Sequence, residues 1–168
     1  MFMPVERRLP APGLASLRIE SCPMAARKRT PADAGALAAG LLVEACRPSS
    51  EDSLRLEVVR DLALDLGRRL GAFAEEDTAA DSLVEAALAC ADLATLAACN
   101  VPALPEGDRP LATASVHLAA GATRALIPLV EAKAETLGEP YADNMFRDTR
   151  SARWRADLAR KQIEDSLD

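Results

Sequence analysis

Residues 31–46 read PADAGALAAGLLVEAC and indicate the kind of fold to expect. A helix drawn through this stretch is apolar on nearly every side, and Arg47 and Pro48 follow it and end it. A short helix with almost no polar face is usually enclosed by other helices, because each apolar side needs a partner that excludes water. The stretch therefore predicts a central helix in a helical protein.

Four further segments are predicted to be helices from their composition and periodicity. The clearest is 51–74, where an apolar row recurs at spacings of three and four residues between charged residues, as in an amphipathic helix. The row consists of Leu54, Val58, Leu62, Leu66, Leu70 and Phe73. The second half of segment 76–99 is almost pure Ala, Leu and Cys, so neighbouring elements are expected to enclose it. The remaining two segments are 110–137 and 149–166.

Three local signals set the expected ends of the later helices. Gly138, with the proline that follows it, is expected to break the chain after segment 110–137. Pro128 lies inside segment 110–137 and is expected to bend that helix or to end it early, because proline lacks the backbone N–H. Asp148 and Thr149 precede the last segment and predict that its helix starts after them.

The fold class follows from these segments. No alternating strand pattern occurs, so the sequence predicts an all-α bundle of about five to six helices with short loops, orthogonal or up-and-down. Residues 1–13 hold three prolines and are predicted to be an extended arm before a single domain at 14–168. Within that domain, 14–26 has the composition of a short helix that Pro23 interrupts.

The charge distribution limits the expected partners. The net charge of -6 favours solubility and argues against nucleic-acid binding. Two ends are basic, however, because residues 1–30 and 147–161 each carry six Lys or Arg against two Asp or Glu. Two solvated basic surfaces are the favoured interpretation, and the alternative is that both ends meet around one small anionic ligand.

The cysteine and histidine content argues against a structural metal site. The four cysteines form no CxxC pair, and His117 is the one histidine of the chain, whereas a zinc site needs about four such ligands with close pairs among them. The N-terminus has no apolar signal region, and no uncharged run of about 18 apolar residues is present, so no membrane span is expected. Reduced cysteines then favour a cytoplasmic protein.

Residues 27–35, RKRTPADAG, have the pattern of a helix start. Thr30 is placed to be the N-cap, Pro31 takes the first helical position, and Asp33 stands where a capping box has its acidic residue. Free N–H groups at a helix N-terminus, with Arg29 and its basic neighbours, are also suited to a carboxylate or phosphate. The spacing alone favours a cap satisfied by Asp33 over an open anion site.

Two other groups have chemistry to consider. Glu75, Glu76, Asp77 and Asp81 form an acidic cluster at a predicted helix start. Neighbouring carboxylates raise one another's pKa, as general acids require, yet such clusters more often stabilise the helix dipole. His117 lies between Val116 and Leu118, where a structural role is favoured over that of a catalytic base.

Several motifs occur in an order that is familiar from one enzyme family. They are TPADAG at 30–35, EEDT at 75–78, GDRP at 107–110 and LAAGATRALIPLVEA at 118–132. In this order the chain resembles the formiminotetrahydrofolate cyclodeaminase and methenyltetrahydrofolate cyclohydrolase family over roughly residues 14–137. The resemblance implies an all-α homodimer that acts on, or binds, a one-carbon derivative of tetrahydrofolate without a metal or nucleotide cofactor.

The same resemblance implies a set of site residues. Asp77 would be the catalytic acid or base. The ligand-binding residues would be Arg29, Thr30, Pro31, Gly107 and Asp108. The chain departs from the family pattern where side chains replace the glycines of the first motif, at Ala32 and Asp33, and crowd the backbone approach to a ligand. Other family residues are replaced at Thr113, Ala114, Pro128 and Ala132.

Three functional hypotheses follow. The first is a divergent cyclodeaminase or cyclohydrolase-like protein of folate one-carbon chemistry. The second is a non-catalytic helical module on the same scaffold that forms a homodimer or binds a partner, with the Ala-rich helices at 31–46 and 84–99 as candidate faces. The third is binding of an acidic partner or phosphate through Arg150, Arg153 and Arg155 on the last helix.

Overall fold

The structure is a computed structural model and describes residues 30–47, 53–75 and 79–166. These residues form five α-helices and one turn of 3-10 helix, with no strand among them. The elements are α1 (Pro31–Ala45), α2 (Ser53–Glu75), α3 (Ala80–Asn100), the 3-10 turn Val101–Ala103, α4 (Arg109–Leu137) and α5 (Tyr141–Glu164). The predicted all-α class is confirmed. The arm predicted at 1–13 and the helix predicted at 14–26 lie outside the described residues.

The first two helices pack antiparallel at very short range. Gly35 near the start of α1 lies against Leu70 near the end of α2, and Ala39 lies against Gly67. A methyl group added at Gly67 would sit 3.0 Å from the Ala39 Cβ, so the two backbones approach as closely as small residues allow. Small residues therefore set the α1–α2 spacing.

α4 runs antiparallel to α1. The Ser115 hydroxyl donates to the backbone carbonyl of Ala38 at 2.8 Å, a buried hydrogen bond between the two helices. Asp108 precedes the first residue of α4, and Cys46 follows the last residue of α1. The two lie close enough for the negative charge of Asp108 to contribute to the raised pKa of the Cys46 thiol. The start of α4 thus lies beside the end of α1.

α5 returns antiparallel to α4. Arg124 in α4 binds Asp157 late in α5, whereas Ala134 late in α4 shares an apolar cluster with Ala142 at the start of α5. With the antiparallel α1–α2 and α1–α4 pairs, these contacts give a helical bundle in which these neighbouring helices run antiparallel.

α3 is the central helix of the bundle. It packs against each of the other four helices. Most of its buried side chains are alanines, which let the neighbouring backbones come close. They are Val84, Ala86, Ala87, Ala89, Cys90, Ala91, Leu93, Ala94, Ala97, Ala98 and Asn100. The predicted enclosure of this segment is confirmed, whereas α1, the predicted central helix, leaves Leu37 59% exposed.

Half of the apolar row predicted for α2 is exposed rather than buried. Leu70 is buried as expected, but Leu54, Val58 and Leu62 are 79%, 59% and 49% exposed. The residues that α2 buries in the core are Leu56, Val59, Ala63 and Leu70. This face also carries Gly67, so the close fit against α1, rather than side-chain size, selects the buried row.

Of the two effects expected of Pro128, a bend in α4 or an early end of the helix, the early end does not occur. α4 runs without a break from Arg109 to Leu137. Pro128 is exposed while Ile127 and Val130 on either side of it are buried, so tertiary packing holds the helix across the missing N–H.

α5 begins eight residues earlier than predicted, at Tyr141. Thr149 is no helix cap, because it is buried inside α5 and its hydroxyl donates to the Met145 carbonyl at 2.9 Å. The true boundary is Gly138, whose φ of 72° falls in the left-handed region that favours glycine. The expected break at Gly138 is therefore confirmed, and the cap expected at Asp148 and Thr149 is wrong.

One described segment, Ala80–Ala103, is long and apolar enough to cross a membrane, although the sequence predicted no span. Its most apolar window is 56% buried within the bundle. The core helix of a soluble protein has the same length and composition, so this is weak evidence for a membrane span.

Candidate functional site

The N-terminus of α1 carries its own anion. The Thr30 backbone N–H donates to Asp33 Oδ2 at 2.6 Å, and the Thr30 hydroxyl donates to the same oxygen at 3.2 Å. The Asp33 backbone N–H in turn donates to the Thr30 carbonyl at 3.0 Å. Pro31 occupies the first helical position, where no N–H is needed. The cap satisfied by Asp33, which the spacing favoured, is therefore present, and Arg29 lies outside the described residues.

Gly107 and Asp108 lie in the short loop that leads into α4. The Asp108 backbone N–H donates to the Pro105 carbonyl at 2.9 Å, and Gly107 is exposed. The pKa of Cys46 is raised, first by burial of the thiol and second by the negative charge of Asp108. This charge effect places the Asp108 carboxylate near the end of α1.

The two halves of the predicted ligand site lie at opposite ends of α1. Thr30 and Pro31 stand at its start, and Asp108 stands near Cys46 at its end. A helix of 15 residues is roughly 22 Å long at 1.5 Å per residue. The structure therefore does not bring the two motifs together within one chain. Asp77, the predicted acid or base, lies outside the described residues.

The other reactive side chains are dispersed. Cys46 and Cys90 are buried and free, Cys99 is exposed and free, and burial raises the pKa of the Cys90 thiol to about 12. His117 is exposed on α4 rather than part of the core. Among the described residues no group of three or more His, Cys, Asp or Glu is placed to hold a metal ion.

An exposed apolar row runs along the outer face of α2. It consists of Leu54, Val58 and Leu62, spaced four residues apart on the side opposite the core. This spacing makes a single ridge on the helix surface. The sequence pattern predicted these residues as part of the apolar, core-facing row of α2, because their spacing is as regular as that of the row that is buried.

The basic residues of α5 have two different surroundings. Arg155 bonds to Asp92 of α3, which ties α5 to the central helix. Arg150 and Arg153 instead line a groove between α4 and α5, together with Ile127 of α4. Of the three arginines in the third hypothesis, Arg150 and Arg153 therefore lie on an open surface, and Arg155 does not.

The chain was compared with protein-family models and with curated proteins. No protein-family model matches the chain, and no curated protein matches it.

Proposed function

We propose that this chain is a homodimeric helical module that self-associates through the exposed face of α2. The observation that supports the proposal is the row of Leu54, Val58 and Leu62, three large apolar side chains that are 49% to 79% exposed. Burial of such side chains contributes about 1.5–3 kcal/mol each, so an uncovered row favours a partner surface.

A second copy is the partner that suits this row. A ridge of residues spaced by four packs into the groove beside an identical ridge, with the helices crossing at about −50°. A two-fold axis then buries the same residues on both copies. The charges of α2 are nearly balanced within residues 54–73, four Arg against three Asp or Glu, so two copies of this helix repel each other less than the net charge of -6 would suggest.

The closed cap at Thr30 supports a non-catalytic module over an enzyme. Asp33 already occupies the N-terminus of α1, and its carboxylate repels any other anion there. The ligand loop at Gly107 lies at the far end of the same helix. Neither observation favours catalysis in a single chain.

The test is the oligomeric state of matched variants. Light scattering coupled to size exclusion is expected to give a dimer for the wild-type chain and a monomer for Val58→Asp. Val58 is 59% exposed, so the monomer keeps its fold and its helical circular dichroism. Leu158→Asp is the control, since Leu158 is 50% exposed on α5, which does not pack against α2. A wild-type monomer at high micromolar concentration, or equal dissociation by both variants, overturns the proposal.

A second candidate is binding of a one-carbon derivative of tetrahydrofolate. It is favoured by the all-α bundle that the family resemblance implied and by the Thr30-Pro31 start of α1. Because Thr30 and Gly107 stand at opposite ends of α1, a site that uses both motifs needs two copies of the chain. Asp77 would then be its acid or base.

Calorimetry with methenyltetrahydrofolate separates this candidate from the first. Binding by the wild-type chain, with Asp77→Asn retaining binding and losing hydrolysis, would establish the enzyme. No heat at millimolar ligand would remove the candidate and leave the dimer untouched. We also propose a cytoplasmic location, because Cys46, Cys90 and Cys99 form no disulfide among the described residues.

A further inference from the structure

The groove between α4 and α5 has an apolar floor. Ile127 of α4 is 7% exposed and Phe146 of α5 is half-buried, and both line the groove. Thr149 also lines it, but its hydroxyl is bonded to backbone carbonyls of its own helix. The floor therefore offers contact area to an apolar ligand body and no free hydrogen-bond donor.

The walls of the groove carry opposite charges. Arg150 and Arg153 lie on the α5 wall, and Glu131 lies on the α4 wall. Among the described residues neither Arg150 nor Glu131 makes an ion pair. The Arg153 guanidinium lies 4.0 Å from one carboxylate oxygen of Asp157, while Arg124 binds the other oxygen at 2.6 Å.

The groove has a volume of about 240 Å³. Pockets for drug-sized ligands are about 300–1,000 Å³, so this one suits a smaller molecule. Guanidinium groups bind carboxylates in a forked geometry, and a carboxylate wall binds an ammonium group.

We propose that the α4–α5 groove binds a small zwitterion with an apolar body, of the class of a free apolar α-amino acid. Its carboxylate binds Arg150 and Arg153, its ammonium group donates to Glu131, and its side chain lies over Ile127 and Phe146. The site is independent of the α2 face and of the folate candidate.

A matched set of probes tests each contact by amide shifts in nuclear magnetic resonance. L-phenylalanine carries all three features, 3-phenylpropanoate lacks the ammonium group, phenethylamine lacks the carboxylate, and inorganic phosphate lacks the apolar body. L-phenylalanine is expected to bind most tightly and to shift amides at 127, 131 and 146–153. Phenethylamine and phosphate are expected to bind most weakly.

Variants of the charged residues then test the contribution of each wall to binding. Arg150→Gln is expected to weaken L-phenylalanine binding about tenfold, the lower end for a charge-assisted hydrogen bond at an open site. Glu131→Gln is expected to reduce L-phenylalanine to the affinity of 3-phenylpropanoate without changing the latter. Arg147→Gln is the control, since Arg147 donates to Asn144 and does not line the groove.

Three results would overturn the proposal. They are the absence of shifts in the groove at millimolar L-phenylalanine, equal weakening by Arg147→Gln and Arg150→Gln, and equal binding of L-phenylalanine and phosphate. The last two would indicate that surface charge alone attracts the probes. Because every variant is at an exposed residue, circular dichroism is expected to show the wild-type fold throughout.

Discussion

α3 and α2 have similar lengths, 21 and 23 residues, yet they bury their side chains in opposite ways. α3 packs against four helices and is enclosed mainly through alanines, whereas α2 packs against only α1 and α3 among the described elements. Leu93 of α3 is 0% exposed, and Leu62 of α2 is 49% exposed. In this bundle the position of a helix, rather than the size of its apolar residues, decides what is buried.

The largest expected effect compares these two leucines directly. Leu93→Ala is expected to lower the free energy of unfolding by about 2–5 kcal/mol, because it removes buried methyl groups and leaves a cavity. Leu62→Ala is expected to cost under about 0.5 kcal/mol. Urea unfolding of both variants in the Val58→Asp background, where self-association does not enter, measures the difference. Equal losses would contradict the exposed position of the α2 row.

The next effect concerns the close approach between α1 and its neighbours. A Cβ at Gly35 would lie 2.6 Å from the Cys90 sulfur and 3.1 Å from Leu70 Cδ1, so Gly35→Ala is expected to cost about 1–2 kcal/mol despite the better helix propensity of alanine. Thermal unfolding and urea unfolding give the value.

Two variants isolate the steric cause. Gly40→Ala lies on the same helix, and no atom of another described helix lies within 4 Å of the added methyl group, so it is expected to stabilise by up to about 1 kcal/mol. Cys90→Ala is expected to relieve part of the Gly35→Ala cost, which a double-mutant cycle measures. Additive effects of the two changes would show that the sulfur is not the obstacle.

A smaller effect is expected at the exposed end of α1. Asp33→Ala removes the acceptor of the Thr30 N–H and is expected to cost about 0.5–2 kcal/mol, the range of lost helix caps. It also opens the N-terminus to other anions. Sulfate is therefore expected to raise the melting temperature of Asp33→Ala more than that of the wild-type chain. Equal shifts would mean that Asp33 does not occupy the anion position.

How much of the fold the sequence predicts depends on whether the cause is local. The Thr30 cap and the break at Gly138 depend on neighbouring residues, and both are confirmed. The start of α5 was missed because Asp148-Thr149 imitates a cap, while the true first turn is held by packing of Ala142 and Met145 against other helices.

The α2 face and the α4–α5 groove depend on contacts between helices. Two rows of α2 have similarly regular spacing, and the close fits of Gly67 against Ala39 and of Leu70 against Gly35 lie on the buried one. The three-residue spacing of Arg150 and Arg153 was visible in the sequence, but the facing Glu131 follows only from the register of two helices. Sequence patterns therefore predict elements and caps better than they predict surfaces shared by two helices.

The smallest expected effect concerns the ion pair between Arg124 of α4 and Asp157 of α5. Arg124 and Asp157 are 44% and 38% exposed, so solvent screens their ion pair, and Arg124→Ala is expected to cost only about 0.2–1 kcal/mol, less at high salt. The larger consequence is for Arg153, because Asp157, already 4.0 Å from it, loses Arg124 as its closer partner and is expected to bind Arg153 more tightly. Arg124→Ala is therefore expected to weaken L-phenylalanine binding although Arg124 does not line the groove. Arg124→Ala with Asp157→Ala is expected to restore binding, because the carboxylate that competes for Arg153 is then absent. Loss of binding in the double variant would mean that Arg124 itself holds the ligand.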